Sequence, residues 1–557
     1  MVDCTRENLQ NFAQFGCEDQ CCFVQNFCGD TFEVINFLVF YTCTLNQNII
    51  LLVLLVVIAS FATFHFLGTT CENYLAPALS VLAEKFRFSE ALAGVTFVAL
   101  ANGAPDIVTA IAAGGSENPT GYCTALGSIF GANLFTTTVI LAGCIFTSRQ
   151  LKSEAFGTIR DLVFFIIATV FIVTLGIITQ ISLESAIGYF SVYLVFLVFV
   201  IIAEYKIRAK ERKELQQKLV HNESMVSHCV EANFGLNDTI SDYILENHYQ
   251  VSDEQSPQNS DKSPVEPQTF SYKFKWVYVR AKRALRLKYL REKSWKERTV
   301  LEKVLFIYEF PLDLLRDLTI PCVDDSRWNR RIAPLTPFFA SLVIIWQFEL
   351  FDDFMDMPWL WAIVVPINVI FGAVIWKISH DHIIPRSLVL VFSLIAFAVC
   401  ILWVNLMANA FQDILVMIQI VSGLPNAYLG LTLLAWGNSV PDFFVDYSLS
   451  KQGYGQMAIS GVFAGQLFNL LVGFGGTLIR ATLKNGTLNF DLLEGSSITN
   501  LNLIIIAFAL VSFIIQLIYA WVNKFVFGKK FGKFLLGYYA IFFATVSVYS
   551  LIEAIKH

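Results

Sequence analysis

Residues 93–106 read Ala-Gly-Val-Thr-Phe-Val-Ala-Leu-Ala-Asn-Gly-Ala-Pro-Asp, so that a carboxylate, a carboxamide, a glycine and a proline stand together inside an apolar run. The pattern occurs a second time, because residues 426–442 read Asn-Ala-Tyr-Leu-Gly-Leu-Thr-Leu-Leu-Ala-Trp-Gly-Asn-Ser-Val-Pro-Asp. One constant offset relates the matched pairs, which are Gly94 and Gly430, Thr96 and Thr432, Ala99 and Ala435, Asn102 and Asn438, Pro105 and Pro441, and Asp106 and Asp442. The chain therefore contains an internal repeat.

The composition is typical of a polytopic membrane protein. Of the 557 residues, 55% are hydrophobic and only 15% are charged, and the formal net charge of -6 gives no indication of nucleic-acid binding. Apolar runs lie near 48–68, 89–113, 121–146, 160–179, 184–204, 335–350, 358–378, 387–407, 424–449, 456–480, 499–522 and 532–554. We therefore expect about five membrane spans in the first half of the chain and about seven in the second.

A long polar interval separates the two groups of spans. From residue 205 to about 331 the composition changes to Lys, Arg, Glu, Gln and Ser, and we expect the middle of the interval to be disordered. Residues 280–298 fit either an amphipathic helix on an anionic leaflet or a solvated cytosolic helix. The predicted parts are a Cys-rich extracytosolic segment (1–47), a first transmembrane repeat (48–204), a cytosolic regulatory or disordered loop (205–332), an additional transmembrane hairpin (333–380) and a second transmembrane repeat (381–557).

The distribution of basic residues predicts how the spans are oriented. Lys and Arg are concentrated in every second loop, whereas the intervening loops carry Glu117, Glu184 and the acidic stretch 349–356. By the positive-inside rule, the N-terminal segment is extracytosolic and the long interval is cytosolic. An odd number of spans in each block makes the second block enter the membrane upside down. The sequence therefore predicts an all-α polytopic membrane protein with two inverted-topology repeats of about five transmembrane helices, plus an extra helical hairpin.

The N-terminal segment is rich in cysteine. Six of the 12 cysteines lie in it or at its edge, namely Cys4, Cys17, Cys21, Cys22, Cys28 and Cys43. This cluster favours disulfides in an oxidising compartment, with a zinc or free-thiol cluster as the alternative, and the spacing does not define the pairs. Residues 1–35 are polar and acidic, so we expect no cleavable leader and favour the plasma membrane or an endomembrane over the mitochondrial inner membrane. The sequon at Asn485 falls outside and predicts a glycoprotein.

The repeated motif has the chemistry of a cation site. A carboxylate at the centre of a membrane helix costs roughly 2.5–3.5 kcal/mol on an insertion scale, so Asp106 and Asp442 need compensation, which a cation can supply. The adjacent prolines should break their helices and free carbonyl oxygens as ligands. Asn102, Asn438 and Ser439 offer neutral oxygens one turn before the acids. About six to eight oxygens suit Ca2+, and neither copy contains the His or Cys that zinc or copper prefers.

A second acid follows in one copy only. Asp446 lies four residues after Asp442 and faces the same direction, whereas its repeat counterpart is Ala110. Asp446 is therefore either a further ligand or an end-of-helix residue at the cytosolic interface. The hydroxyls of Thr96 and Thr432 are expected to bond back to their own helices.

The third spans of the two blocks also repeat. Residues 131–136 read Gly-Ala-Asn-Leu-Phe-Thr and residues 464–469 read Ala-Gly-Gln-Leu-Phe-Asn. Small residues at these positions let helices approach closely, so Thr136 and Asn469 are expected to face the acidic helices. For Asn133 and Gln466, ion ligation and interhelical hydrogen bonding fit equally well.

At these residues the chain resembles the cation/calcium exchanger superfamily. That family carries Gly-Thr/Asn-Ser/Gly-x-Pro-Glu/Asp on one helix of each inverted repeat and Gly-Ser-Asn-x-Phe-Asn-like sequence on the next. Residues 102–106 and 438–442 look most like its sodium/calcium/lithium exchanger branch, which includes the mitochondrial exchanger and the plant cation/calcium exchangers. The resemblance covers nearly all of the chain outside the 206–331 interval and implies a sodium/calcium exchanger-like fold.

The resemblance implies a secondary active antiporter rather than an enzyme. It implies exchange of Ca2+ for Na+, or for Li+, by alternating access, with the ions as transported substrates and no cofactor. The candidate ligands are Asn102, Asp106, Thr136, Asn438, Ser439, Asp442, Asp446 and Asn469. The chain departs from the Glu-bearing exchangers because both acids are Asp, Gly103 replaces a hydroxyl, and Thr136 stands where the family often has Asn.

Other functions fit parts of the same pattern. Within the exchangers, H+ or K+ could replace Na+ as the counter-ion. A cation channel lined by the same oxygens is a second alternative. An intramembrane aspartyl protease also needs two Asp residues on facing spans, but the two acids here share near-identical Asn-x-x-Pro-Asp contexts and no Gly-x-Gly-Asp is present.

Overall fold

In a computed structural model, the chain forms a bundle of membrane helices. The structure describes residues 6–32, 34–45, 47–103, 119–148, 151–221, 299–324, 327–348, 359–379, 387–422, 435–490 and 497–556, together with the single positions 4, 350, 357, 384, 385 and 492. Within these ranges, nine helices are long and apolar enough to cross a bilayer. The expected all-α polytopic fold is confirmed.

The first half of the chain contains a small N-terminal helical segment and five long or apolar helices. In chain order the helices are α1 (Arg6–Gln10), α2 (Gln20–Phe27), α3 (Phe37–Val39), α4 (Ile49–Lys85), α5 (Glu90–Gly103), α6 (Pro119–Phe135, continued by Thr136–Ile140 and Leu141–Thr147), α7 (Ala155–Ile178) and α8 (Leu183–His221). Short 3-10 turns span Phe12–Phe15 and Gly29–Thr31, and π-helical turns span Phe40–Thr44, Cys71–Leu75, Gly94–Val98 and Thr136–Ile140.

The second half repeats the arrangement of long helices. Its helices are α9 (Val300–Thr319), α10 (Thr336–Gln347), α11 (Trp359–Ile378), α12 (Val389–Ser422), α13 (Ala435–Gln452), α14 (Gly455–Phe468, continued by the π-helical turn Asn469–Phe474 and by Gly475–Asn485), α15 (Ser497–Val522) and α16 (Lys529–Lys556). The spans expected near 89–113, 335–350 and 424–449 correspond to the shorter helices α5, α10 and α13. Helices α5 and α13 adjoin residues 104–118 and 423–434, which lie outside the described part of the chain.

Two short β-ladders show that the repeats are inverted. Strand β1 (Leu151–Lys152), between α6 and α7, pairs with β4 (Val526–Phe527), between α15 and α16, in antiparallel register. Strand β2 (Thr179–Ile181), between α7 and α8, pairs with β3 (Leu488–Phe490), between α14 and α15. The loop after the third span of one repeat therefore meets the loop after the fourth span of the other. Paired loops must lie on the same side of the membrane, which requires opposite orientations of α4–α8 and α12–α16.

The first helix of each repeat is much longer than a bilayer needs. Helix α4 has 37 residues and α12 has 34, whereas about 20 residues are enough to cross the hydrocarbon core. Excess length in a membrane helix is accommodated by tilt. The two helices pack on each other through aromatic pairs, with ring centroids 4.7 Å apart for Phe64 and Phe411 and 5.6 Å apart for Phe66 and Trp403. They form one paired unit that also contacts α13.

Residues 4–45, called the cap below, form a disulfide-linked segment that packs on α12. The disulfides join Cys4 to Cys28 and Cys21 to Cys43. The apolar core of the cap merges with buried residues of α4 and α12, and its members are Leu9, Cys17, Phe23, Val24, Cys28, Phe32, Phe37, Leu38, Leu52, Phe411, Ile414, Leu415, Met417 and Ile420. Asp413 of α12 accepts backbone hydrogen bonds from Val34 and Ile35, each at 2.8 Å. The cap is therefore attached to α12 by polar and apolar contacts together.

The polar interval contains a helix that belongs with the spans. Helix α9 belongs to the compact unit that contains the membrane helices. Tyr308 of α9 donates its hydroxyl to the carbonyl of Ala62 at 2.9 Å, and Trp403 of α12 donates its indole N–H to Thr319 Oγ1 at 3.0 Å. Helix α9, which the sequence analysis assigned to the 205–332 loop, thus contacts both long helices. Residues 222–298, including the segments expected to be disordered or amphipathic, lie outside the described ranges.

Arg316 holds α9 against α4. Its side chain is buried, and its Nη1 atom donates to Thr69 Oγ1 at 2.6 Å and to Thr70 Oγ1 at 3.0 Å. Its Nη2 atom donates to Asp313 Oδ1 at 2.5 Å, and the guanidinium lies 4.7 Å from the centroid of the Phe66 ring. A buried guanidinium is tolerated only when its donors are paired in this way.

We expect Arg316→Leu to destabilise the protein. Removal of the guanidinium leaves the two threonine hydroxyls and the Asp313 carboxylate without their shared donor, a loss of about 3 kcal/mol. The melting temperature in detergent should fall by on the order of 5 °C. The matched control is Arg331→Leu, because Arg331 is exposed and should tolerate the change. Equal melting temperatures for the two variants would show that Arg316 does not stabilise the α9–α4 contact.

Candidate functional site

Glycines let the second span of the first repeat approach the third span of the second repeat. A Cβ atom on Gly94 would lie 2.6 Å from the carbonyl oxygen of Met457, and a Cβ atom on Gly461 would lie 2.5 Å from Val98 Cγ1. Real Cβ atoms do not come so close to other heavy atoms, so these positions require a residue without a side chain. The contact brings Asn102, near the described end of α5, into the centre of the bundle.

Two carboxylates lie one turn apart on α13 and are both buried. Asp442 is 1% exposed and Asp446 is 0% exposed. Asp442 Oδ2 accepts a hydrogen bond from Gln466 Nε2 of α14 at 2.5 Å, and Asp446 Oδ2 accepts one from Asn102 Nδ2 of α5 at 3.5 Å. Asp446 is therefore enclosed by other helices, which favours the expected role of a further ligand over that of an end-of-helix residue at the interface. Gln466 makes the interhelical hydrogen bond that was one of its two expected roles.

The charge of Asp446 has little compensation from the described part of the chain. Among the residues that the structure describes, no Lys, Arg or His forms an ion pair with Asp446. A buried carboxylate held only by one carboxamide keeps most of its desolvation cost, which is several kcal/mol per ion. A positive charge bound beside Asp446 offsets that cost directly.

Unpaired buried oxygens lie on Asp446 itself, on the two residues that are hydrogen-bonded to the carboxylates and on α6, which packs against α13. They include Asn102 Oδ1, Asn133 Oδ1, Thr136 Oγ1, Asp446 Oδ1 and Gln466 Oε1, for which the described residues provide no hydrogen-bond donor. Each such atom costs about 1–3 kcal/mol when nothing replaces its water. Such atoms are rare in folded proteins, and a bound ion is one of the few arrangements that satisfies them. The residues present therefore fit a cation held by oxygen ligands.

Thr136 differs from its neighbours in a way that marks it as a candidate ligand. The hydroxyls of Thr137 and Thr138 donate to the carbonyls of Asn133 and Leu134, four residues earlier, at 2.7 and 2.5 Å. The hydroxyl of Thr136 has no hydrogen-bond partner among the described residues, although the residue is fully buried. The oxygen of Thr136 is available to a ligand, whereas its neighbours satisfy their own helix.

Thr136 and its repeat counterpart Asn469 occupy the same local geometry. A π-helical turn begins at each of them, spanning Thr136–Ile140 in α6 and Asn469–Phe474 in α14. Single π-helical turns inside α-helices are frequent at functional sites because they redirect side chains and loosen backbone hydrogen bonds. Asn469 is buried, and a Cβ atom on Gly103 would collide with its Oδ1 atom. The close approach of Asn469 explains why position 103 has no hydroxyl-bearing side chain.

Asn438 and Ser439 make contacts that differ from those of the acids. Asn438 is half-buried, and its Oδ1 atom accepts a hydrogen bond from Gln412 Nε2 of α12 at 2.7 Å. Ser439 is buried, and its hydroxyl lies 3.5 Å from the carbonyl oxygen of Ala132 in α6. The structure thus connects Asn438 to a long helix and Ser439 to the third span of the first repeat. Gln412 carries no motif, so sequence reasoning missed its contact.

Pro441 lies within α13 and does not end it, contrary to the expected break at this position. A proline removes one backbone donor, so only the bond to the carbonyl four residues earlier is lost, and helix on both sides can persist. The carbonyl of Gly437 is the group left without its helical donor. Gly437 itself packs closely on α12, where a Cβ atom on Gly437 would lie 2.9 Å from Leu415 Cδ1.

Some predicted positions lie outside the described residues. These are Pro105, Asp106, Ala110, Gly430 and Thr432. The expected back-bonding of Thr96 is confirmed, since its hydroxyl donates to the carbonyl of Leu92 at 2.7 Å. Asn133 is buried, and neither of its side-chain polar atoms has a hydrogen-bond partner in the described part of the chain, which makes it a stronger candidate than its sequence position indicated.

Inverted repeats whose interface encloses buried carboxylates and oxygen atoms define the class of helical secondary transporters. Comparison with known proteins gives the family. The sodium/calcium exchanger protein family model matches residues 56–202 and 392–548, and the chain belongs to this family. The resemblance drawn from the two motifs is confirmed.

Relatives of this chain come from animals and plants. It is similar to the mitochondrial sodium/calcium exchanger protein of Mus musculus (29% identity over 87% of this chain and 79% of that protein) and of Homo sapiens (30% identity, 74% and 68%). It is also similar to cation/calcium exchanger 5 of Arabidopsis thaliana, at 24% identity over 81% of this chain and 75% of that protein. Among solved structures, a sodium-calcium exchanger named NCX_Mj aligns with a TM-score of 0.43 and 12% identity, covering 88% of this chain and 99% of that chain.

Proposed function

We propose that this protein is a secondary active antiporter that exchanges Ca2+ for Na+ by alternating access. The observation that carries the proposal is the pair of buried carboxylates, Asp442 and Asp446, with unpaired buried oxygen atoms on Asn102 and Gln466, which are bonded to them, and on α6, which packs against α13. Ca2+ prefers a shell of carboxylate, carboxamide and hydroxyl oxygens, and these are the groups present. Membership of the sodium/calcium exchanger family supports the same conclusion.

The proposed ligands come from both repeats. Asp442 and Asp446 supply charge, and Asn102, Thr136 and Asn469 supply neutral oxygens. Asn133, Ser439 and Gln466 border the same site and complete the set, whereas Asn438 contributes through its contact with α12. Asp106, as the repeat counterpart of Asp442, is proposed as a third carboxylate on the basis of the sequence repeat.

Charge explains why transport is an exchange. Empty, the site leaves the buried carboxylate of Asp446 without a basic partner among the described residues, in a medium of low dielectric constant. A conformational change that carries an empty site across the membrane is therefore costly. One Ca2+ or several monovalent cations remove that cost, so the protein changes conformation with ions bound and exchanges one kind for the other.

The two long helices are the proposed moving elements. Helices α4 and α12 pack on each other and also contact α13, which carries the acids. Gly68 of α4 faces the ring of Phe444 on α13, where a Cβ atom would lie only 3.1 Å from the ring. A smooth contact of this kind lets one helix slide past another, which is how inverted-repeat transporters expose a fixed site to alternate sides.

Reconstitution tests the function directly. In liposomes that contain the purified protein, we expect an outward Na+ gradient to drive Ca2+ uptake, and Li+ to support uptake less well. Uptake driven only by K+ or by a proton gradient would assign a different counter-ion. Unitary currents without counter-transport would identify a channel, and cleavage of membrane substrates without ion flux would identify a protease.

The finer location of the protein is also a proposal. The disulfides Cys4–Cys28 and Cys21–Cys43 support an oxidising compartment on the outer side, as at the plasma membrane or an endomembrane. The mitochondrial inner membrane is the alternative, because relatives named mitochondrial exchangers match this chain. Fluorescence imaging of the tagged full-length protein beside organelle markers separates the two locations.

A further inference from the structure

Two cysteines of the cap are not joined in the structure but lie side by side. Cys4, Cys28, Cys21 and Cys43 are paired, which leaves Cys17 and Cys22 as thiols. Their sulfur atoms are 2.7 Å apart. A disulfide needs about 2.05 Å between its sulfurs, so a small rotation of either side chain closes the remaining distance.

The local backbone holds the two thiols together. Gly16 adopts a left-handed conformation, with φ at 75°, and turns the chain back immediately before Cys17. The side chain of Asp19 accepts a hydrogen bond from the backbone N–H of Cys22 at 2.7 Å and thereby caps the start of α2. Asn26 Nδ2 donates to the sulfur of Cys22 at 3.5 Å. The pair is therefore a defined site rather than a chance contact between mobile side chains.

The two thiols are unequal. Cys17 is buried, whereas Cys22 is partly exposed. The hydrogen bond between the two thiols and, to a smaller extent, burial raise the pKa of Cys17, which lowers its thiolate fraction near neutral pH. Cys22 is thus the thiol that meets an oxidant first, and Cys17 is the resolving thiol behind it.

We propose that Cys17 and Cys22 form a third, redox-responsive disulfide that restrains α12. The Cys22 thiolate attacks one sulfur of an oxidising disulfide, either glutathione disulfide or the disulfide of an oxidoreductase, and releases one thiolate from it. The Cys17 thiolate then attacks Cys22 in the mixed disulfide and releases the second. Two cysteine thiols lose two protons and two electrons, and the oxidising disulfide takes up both to become two thiols.

The position of Cys17 links this bond to the membrane helices. Cys17 belongs to the apolar cluster that the cap shares with Phe411 and Ile414 of α12. Asp413, on the same helix, receives the backbone N–H groups of Val34 and Ile35. A crosslink beside this cluster makes the cap, against which α12 packs, more rigid. On the proposed function, in which α12 moves in every cycle, the oxidised cap slows exchange.

Thiol counting tests the bond without any measure of transport. The full-length protein is equilibrated in a series of mixtures of reduced and oxidised glutathione and then quenched in acid. After denaturation, the remaining thiols are labelled with a maleimide, and the number of labels is measured by mass spectrometry of the intact protein. We compare a more reducing with a more oxidising mixture in which the other two disulfides both stay formed. Between these mixtures the wild type is expected to lose two labels. Cys17→Ser and Cys22→Ser should lose none in that comparison, and Cys71→Ser, which removes a buried membrane cysteine, should lose the same two as the wild type.

The contrary results are equally clear. A wild type that loses no labels across the series, or a Cys17→Ser variant that loses the same two, refutes the bond.

The restraint on α12 is tested separately in liposomes, where Na+-driven uptake by the oxidised wild type should be about twofold or more slower than by the reduced form. Cys17→Ser should show one rate in both conditions. Label loss with unchanged uptake refutes the restraint, and label loss in a protein without any Na+-driven uptake refutes the proposed function while leaving the bond in place.

Discussion

Asp442→Asn is expected to reduce Na+-driven Ca2+ uptake by about a hundredfold or more, because one unit charge about 4 Å from another is worth roughly 4 kcal/mol at an intermediate dielectric constant. The substitution is nearly isosteric. The Asn side-chain oxygen can still accept the hydrogen bond that Gln466 donates to Asp442 Oδ2. The variant therefore removes charge from the site while its packing and its contact with α14 persist.

The measurement is initial uptake into liposomes with equal amounts of wild-type and variant protein. The matched control is Asp413→Asn, which makes the same change at another buried Asp of a membrane helix. Its Asn oxygen can still accept from Val34 and Ile35, so uptake close to that of the wild type is expected. Asp106→Asn should reduce uptake to an extent similar to Asp442→Asn if both copies of the repeated motif contribute a carboxylate to the ion site. Wild-type flux from Asp442→Asn would remove this carboxylate from the ion site.

The candidate site could be read from the sequence where local chemistry decides the outcome. An acid in an apolar run is unstable in lipid, so two copies of Asn-x-x-Pro-Asp indicate a buried polar site before any coordinates exist. The third-span repeat likewise placed Thr136 and Asn469 at equivalent positions, and both begin a π-helical turn. Helical periodicity also put Asp446 on the face of Asp442. These inferences rest on neighbours within one helix.

Features that depend on contacts between distant elements could not be read in this way. Asp446 is bonded to Asn102, more than three hundred residues earlier. An acid near a helix end looks the same in sequence whether it is buried or interfacial. Arg316 stands in a charged segment typical of a solvated helix. Its partners Thr69 and Thr70 look like ordinary members of an apolar run. Only the packing of α9 on α4 shows that these groups compensate one another.

Gly461→Ala is expected to reduce uptake by about tenfold or more, because overpacking in a close contact typically costs about 1–3 kcal/mol. The added Cβ atom would lie 2.5 Å from Val98 Cγ1 and 2.7 Å from Asp446 Oδ1. Relief of both contacts requires α5 to move away from α14 and the carboxylate of Asp446 to rotate. Either movement separates Asp446 from Asn102, so one methyl group alters the site without changing its charge.

Gly465→Ala provides a control one turn along the same helix. A Cβ atom there would meet Asn102 Cβ at 3.5 Å, which is ordinary van der Waals contact. Gly537→Ala is a second control, since nothing lies within 4 Å of the added atom. Both variants should retain most of the uptake, and all three should elute as folded protein in size-exclusion chromatography. Should Gly461→Ala transport as well as Gly465→Ala, the distance between α5 and α14 does not govern the geometry of the ion site, and the carboxylates must be positioned by α13 and α6 instead.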